Sequence, residues 1–199
     1  MLFRSTQGTV TEQPITGTRT INGLNTLDFS TESLDLGTEL ELNGGMMFAV
    51  IEADNVASYY QIMSHQYPVN VQARISAGNI QYATTQPYWL GGPASTGTIS
   101  ASTPAIAGFI GDTSMGFSID GTFEDSGTGN DGSGLTAYKR IGAREGYEER
   151  FDGKMGEIIF VEGDVSTATR QKIEGYLAHK WGTTLPSGHP YINYPPLRG

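Results

Sequence analysis

Hydrophobic and polar positions alternate in short runs along most of this chain, the period-two pattern of strands that bury one face. The runs at 24–29, 46–52, 59–63, 71–75, 80–83, 105–110, 115–119, 136–141 and 155–161 are predicted strands. In one of them Met115, Phe117 and Ile119 face one side, while Gly116 and Ser118 face the other. Turn chemistry separates the runs at Asn43-Gly44-Gly45, Ala77-Gly78-Asn79 and Asp120-Gly121. Asp120-Gly121 predicts a two-residue hairpin, since both central positions of such a turn need a positive φ that Asp and Gly tolerate. Many short strands with turns between them describe an all-β fold, a two-sheet antiparallel sandwich.

One segment breaks the pattern. Over 166–181, Ile173, Tyr176, Leu177 and Trp181 fall at i, i+3, i+4 and i+8, the stripe of an amphipathic helix. Ser166 can cap its start and Gly182 its end, with Pro186 just beyond. Gly175 inside the helix costs about 1 kcal/mol relative to Ala, so a neighbouring ring or backbone is expected to press on it. Lys180 lies on the apolar side, so its stem should be covered and its ammonium should meet an acid or a carbonyl. The tail at 183–199 holds four prolines and can be neither helix nor central strand. It is expected to lie as an extended strap anchored by Tyr191 and Tyr194. Residues 1–20 are mostly polar and read as an N-terminal arm, and Gly127 to Gly134 as a flexible loop. No linker or repeat divides the chain, so 1–199 reads as a single domain.

Composition narrows the function classes. The 199 residues include no Cys, which removes thiol catalysis, iron–sulfur clusters and zinc–thiolate sites. Twelve basic against 21 acidic side chains leave a net charge of −9, so no nucleic-acid partner is expected. No run approaches the ~18 apolar residues of a membrane span, and the opening residues lack the apolar core of a signal peptide. Synthesis in a host cytoplasm without a leader is the expectation, and membrane insertion is not.

The C-terminal third carries a longer signature: Gly153-Lys-Met-Gly-Glu157-Ile-Ile-Phe160, then Gly175-Tyr176-Leu177-Ala-His-Lys180-Trp181-Gly182, then Leu185-Pro186 and His189-Pro190-Tyr191. On these residues the chain resembles the concanavalin A-like, laminin-G-type jelly-roll modules of phage virion proteins and large bacterial surface proteins. Weaker matches lie at Ile21-Asn22-Gly23-Leu24, Phe48-Ala-Val-Ile51 and Ile141-Gly142. The resemblance implies a jelly-roll sandwich with one C-terminal helix and a Pro-rich strap. Relatives open with a further strand-bearing segment; here either residues 1–20 make an irregular first strand, or the sandwich lacks an edge that a neighbouring subunit supplies.

Candidate chemistry is sparse. Relatives of this architecture that act as glycanases align two acids on one strand as Glu-x-Asp-x-x-Glu, a string absent here. Glu148 and Glu149 are adjacent and would point to opposite faces, as solvated surface acids; Glu162 and Asp164 flank Gly163 at a strand end. His65, His179 and His189 do not make a zinc spacing; His179 is expected to be exposed and His189 to lock the strap by hydrogen bonds. Calcium is conceivable at an acidic, Gly-rich rim, where Asp120, Asp125 and Asp131 are the candidate ligands; otherwise no cofactor is implied. A sugar platform needs exposed rings, and Tyr59, Tyr60, Tyr67, Tyr82, Tyr88 and Trp89 are candidates, with Tyr88 and Trp89 in the best loop. Trp181 reads as core.

These readings converge on a non-enzymatic protein of the virion surface, a capsid decoration (cement) or tail-fibre adhesin module. It would contact further copies in a homo-oligomer and other virion proteins, the major capsid or tail proteins, through strand edges, the arm and the loop 94–101. The alternative is a glycan-binding module for cell-surface polysaccharide; a glycanase comes third.

Overall fold

Strands with one apolar face need a second sheet to bury it against, and the chain supplies two. A computed structural model describes residues 5–6, 8–40, 45–64, 72–83, 94–111, 115–125, 138–144, 149–163 and 165–197. The strands are β1 (Ser5–Thr6), β2 (Ile15–Ile21), β3 (Leu24–Phe29), β4 (Leu34–Leu40), β5 (Met46–Ala53), β6 (Tyr59–Ser64) and β7 (Gln72–Ser76). They continue as β8 (Asn79–Ala83), β9 (Ala94–Thr98), β10 (Ala105–Gly111), β11 (Met115–Ile119), β12 (Thr122–Asp125), β13 (Tyr138–Ile141) and β14 (Gly153–Val161). Helix α1 (Thr167–Trp181) follows. One sheet runs β1-β4-β13-β6-β7-β8-β9 and the other β12-β11-β10-β5-β14-β3-β2, each antiparallel throughout. This is the expected jelly-roll sandwich with one C-terminal helix.

The main core fills the space between the sheets, with Phe29, Met47, Ile51, Ile75, Tyr82, Phe109 and Phe151 fully buried. Phe109 meets Phe117 edge to face, ring centres 6.1 Å apart. A second apolar layer lies on the far side of the second sheet, where Met46, Phe48, Val50 and Ile106 meet Leu177, Ala178 and Trp181 of α1 and Leu185 of the strap. Strand β5 is thus buried on both faces, which is why its sequence is a continuous apolar run and does not alternate. Among the described residues no helix is long and apolar enough to cross a membrane.

The described residues of 1–20 supply strands, the first of the two alternatives for this segment. Ser5–Thr6 pair with β4, and Ile15–Ile21 form a hairpin with β3, so these residues add an edge strand to each sheet. Strand β2 is irregular, with a register shift between Thr16 and Thr20 and Gly17 at positive φ. Its exposed Thr and Gly residues left no apolar period to read. The segment 94–101, expected as a contact loop, contains edge strand β9, and Glu124 of β12 clasps it across the sandwich. The Glu124 carboxylate accepts from the N–H groups of Thr96 at 2.6 Å and Gly97 at 2.8 Å. Burial pushes this carboxyl up, but the amide donors outweigh it and hold it below the usual range.

The strap is coiled rather than extended. His189 N–H donates to Pro186 O at 2.9 Å and Ile192 N–H to His189 O at 3.2 Å, two successive turns. Tyr191 packs on the second apolar layer, but Tyr194 is 79 % exposed and anchors nothing.

The Asp120-Gly121 hairpin forms, with φ of 48° and 80°. Asp120 Oδ1 accepts from Ile106 N–H at 2.8 Å, and burial still pushes its carboxyl up to about 6. A carboxyl raised on folding adds stability that is whole below the ordinary value of 3.8 and is lost as pH rises through about 6. Asp120→Asn keeps the acceptor and removes the charge. The variant should match the parent at pH 4 and be more stable at pH 7 by ~2 kcal/mol, read from urea midpoints across that range. A pH-independent difference would contradict this account.

Candidate functional site

Across β6, β7 and β8 the outer face of the first sheet carries long polar side chains opposite the apolar face that points into the core. The register places Gln61 beside Arg74 and Arg74 beside Gln81, while Ile62, Ile75 and Ile80 turn inward. Such a face is normally solvated. Here Gln61 is 0 % exposed and Arg74 6 %, and Gln72 is buried as well. Burial forces the polar atoms to find one another. Arg74 donates from Nε to Gln81 Oε1 and from Nη1 to Gln72 Oε1, each at 2.9 Å. Gln61 Nε2 donates to the same Gln72 oxygen at 2.9 Å and to Glu149 Oε2 at 2.7 Å. Gln61 Oε1 is buried with no hydrogen-bond partner. Tyr59 ends the row, 47 % exposed, with the Arg74 guanidinium 4.3 Å from its ring centre.

Electrostatics follow from this placement. Burial draws the Arg74 guanidinium below its usual range; Glu149 and Tyr59 oppose that shift, and neighbouring Arg144 adds to it. Arg144, also buried, approaches Glu149 Oε2 at 3.8 Å. Glu149 is therefore not the solvated surface acid expected from its sequence. Among the described residues it is the one carboxylate hydrogen-bonded to this row.

Of the ring candidates among the described residues, the structure brings only Tyr59 to this face. Tyr82 is buried in the main core and Tyr60 packs against it. Tyr67, Tyr88 and Trp89 lie outside the described residues, as do His65 and Asp131. Of the calcium candidates, Asp120 is committed to the Ile106 amide and Asp125 ends β12. No group of three or more metal-ligating side chains occurs among the described residues. Sequence reasoning missed Gln61, Gln72, Arg74 and Gln81. Their alternation with Ile62, Ala73, Ile75, Ile80 and Tyr82 was legible, but polar positions of a strand are ordinarily solvent-facing and so gave no signal.

The C-terminal signature does structural work. Glu157 accepts from Trp181 Nε1 at 2.9 Å, Lys180 Nζ at 2.9 Å and Tyr176 Oη at 3.1 Å. The Tyr176 hydroxyl and Glu157 hold the Lys180 ammonium above its usual range. A Cβ on Gly175 would lie 2.5 Å from Cβ of Tyr191, so the expected pressing neighbour is the strap itself. Gly153, at φ 142°, lies against the Glu52 carbonyl. Gly182 caps α1 in the left-handed conformation, and Asn22 Nδ2 donates to Lys180 O at 3.1 Å. Pro190 is exposed in a turn of the strap. His179 is exposed, with Nε2 2.7 Å from Tyr191 O.

The inward face of α1 departs from the expected stripe. Tyr176 is on the outer side, and Arg170 and Glu174 are buried with Leu177, Ala178 and Trp181. The Glu174 carboxylate, 0 % exposed, accepts from Ser118 Oγ at 2.6 Å and Arg170 Nη1 at 2.7 Å, and faces His189 Nε2 at 3.1 Å. Tyr191 N–H donates to His189 Nδ1 at 3.2 Å, so Nε2 carries the proton directed at Glu174.

The two sheets and their order make a jelly-roll sandwich, a fold shared with concanavalin A-like structures. Domain 4 of AbnA, a GH43 extracellular arabinanase from Geobacillus stearothermophilus solved with arabinotriose, is similar at a TM-score of 0.59. The identity is 12 %, over 78 % of this chain and 79 % of that one. A candidate carbohydrate-binding protein from Bacteroides ovatus is similar at 0.52, with 15 % identity over 72 % of this chain and 45 % of that one. A heptameric SAP-like pentraxin from Limulus polyphemus is similar at 0.50, with 14 % identity over 71 % of this chain and 72 % of that one. At these identities the likeness shows the fold. No family model matches the chain, and no curated protein matches it in sequence.

Proposed function

We propose that this protein is a non-enzymatic glycan-binding module whose ligand meets the outer face of the first sheet at Tyr59 and the polar row beside it. The observation that carries the reading is the row itself: three amides and a guanidinium on three adjacent strands, with half-exposed Tyr59 and part-exposed Gln81 at its surface. Planar amide and guanidinium groups offer hydrogen bonds in fixed directions, and a ring offers an apolar surface to the C–H face of a sugar. Rigid strands hold both, so little ordering cost falls on binding. The fold is compatible, being shared with an arabinanase domain solved with arabinotriose. The virion-component reading gains nothing from these likenesses, which favour the glycan alternative.

The test is glycan-array binding of the parent chain followed by Tyr59→Ala. Tyr59 is half exposed and its loss should leave the melting temperature nearly unchanged, while affinity for any array hit falls about tenfold, the worth of one stacked ring. Replacing Tyr88 or Trp89 is the parallel experiment for the loop outside the described residues. Reducing-sugar release from the bound glycan would instead mark an enzyme, and an array without hits would end the glycan reading.

A further inference from the structure

Resting on the glycan reading, we infer that the preferred ligand is a carboxylated saccharide, its carboxylate received by the Nη2 edge of Arg74. The argument is a comparison within the molecule. Buried Arg170 sits 2.7 Å from Glu174, and buried Lys154 2.6 Å from Glu52. Arg140 lies 2.7 Å from Asp35, and Arg19 2.5 Å from Asp54. Each of these cations meets a carboxylate, as burial or partial burial demands. Arg74, 6 % exposed, does not: its hydrogen-bond acceptors are the neutral amides of Gln72 and Gln81, and a ring covers one face. The nearby carboxylate, Glu149, turns Oε2 to Gln61 Nε2 and to Arg144 and makes no direct ion pair with Arg74.

Geometry shows what can supply the missing charge. Tyr59 stacks over the face of the guanidinium, whereas its hydrogen bonds run in its plane. Nε and Nη1 are used, and Nη2 makes no hydrogen bond among the described residues. A carboxylate approaching in that plane would not compete with the ring, and it would find the planar match that favours Arg for such groups. The chain's net charge of −9 repels anions at long range, so this selectivity must be local, and salt should weaken binding only modestly.

The full chain should be tested on an array whose arms are carboxylated (uronate- and sialate-bearing), sulfated and neutral oligosaccharides. The strongest carboxylated hit is then compared with its carboxyl-reduced counterpart. Binding in the carboxylated arm is expected, with at least a tenfold loss on carboxyl reduction and a similar loss for Arg74→Lys, which keeps the charge but not the planar fork. If Arg74→Lys does not fold, the carboxyl-reduced ligand decides alone. Equal binding of the reduced glycan, or hits confined to neutral or sulfated sugars, would overturn the inference and leave glycan binding standing. No hit in any arm would remove the glycan reading itself.

Discussion

Replacing Glu174 with Ala should cost about 3–5 kcal/mol of folding stability, because it strands the buried Arg170 guanidinium without its partner. The carboxylate also receives Ser118 Oγ and faces His189, so one substitution undoes the bond of α1 to the second sheet and of the strap to α1. For a chain of this length, the melting temperature should fall on the order of 10 °C. The control separates charge from packing. Arg170→Met with Glu174→Leu removes both charges together, and replacing a buried ion pair by apolar groups of similar volume is often neutral or stabilising. The double variant should therefore recover the part of the loss due to the stranded guanidinium, while Ser118 Oγ and His189 Nε2 remain unpaired, in calorimetry at neutral pH. If the single substitution costs under about 1 kcal/mol, the clamp is not what holds the helix and strap in place.

Trp181→Ala should cost a comparable ~3–5 kcal/mol, for the reason that applies to any large buried ring: lost transfer energy plus the cavity left behind. The sequence context sharpens this into a coupling. The Trp181 ring lies over Gly156, where a Cβ would come within 2.6 Å of it. Gly156→Ala should then destabilise the parent by ~1–3 kcal/mol through overpacking, yet be nearly neutral in the Trp181→Ala background. Trp181→Phe keeps most of the ring and loses the Nε1–H bond to Glu157, for which about 1 kcal/mol is expected since Lys180 and Tyr176 still satisfy that carboxylate. Urea midpoints for the four-member cycle give the coupling energy directly. Additive costs would show that Gly156 is not there to admit the ring.

Both large effects lie in the C-terminal bracing layer, on the opposite side of the second sheet from the Tyr59–Arg74 row. Support and recognition are thus separated by the thickness of the sandwich, so substitutions in the brace should change stability without changing ligand selectivity.

Local periodicity by itself determined a good deal: nine strands to within two residues in their described parts, the Asp120-Gly121 hairpin, the helix with its Ser166 and Gly182 caps, and a close neighbour at Gly175. Each depends on forces acting within a few residues, such as side-chain alternation, positive φ or a missing Cβ. Strand β4 was equally legible at Leu34, Leu36 and Leu40, whereas β2, four of whose seven residues are Thr or Gly on an exposed edge, held no apolar alternation. Only the tertiary structure decided that Glu174 and Arg170 lie inside, because their partners Ser118 and His189 come from a distant strand and from the strap. The same holds for the outer row: Gln61, Arg74 and Gln81 look like ordinary solvated positions until pairing of three strands sets them side by side, the first two buried, around a guanidinium that no acid among the described residues meets directly. Burial and charge balance are properties of neighbours in space, and alternation along a chain carries no record of which neighbours those will be.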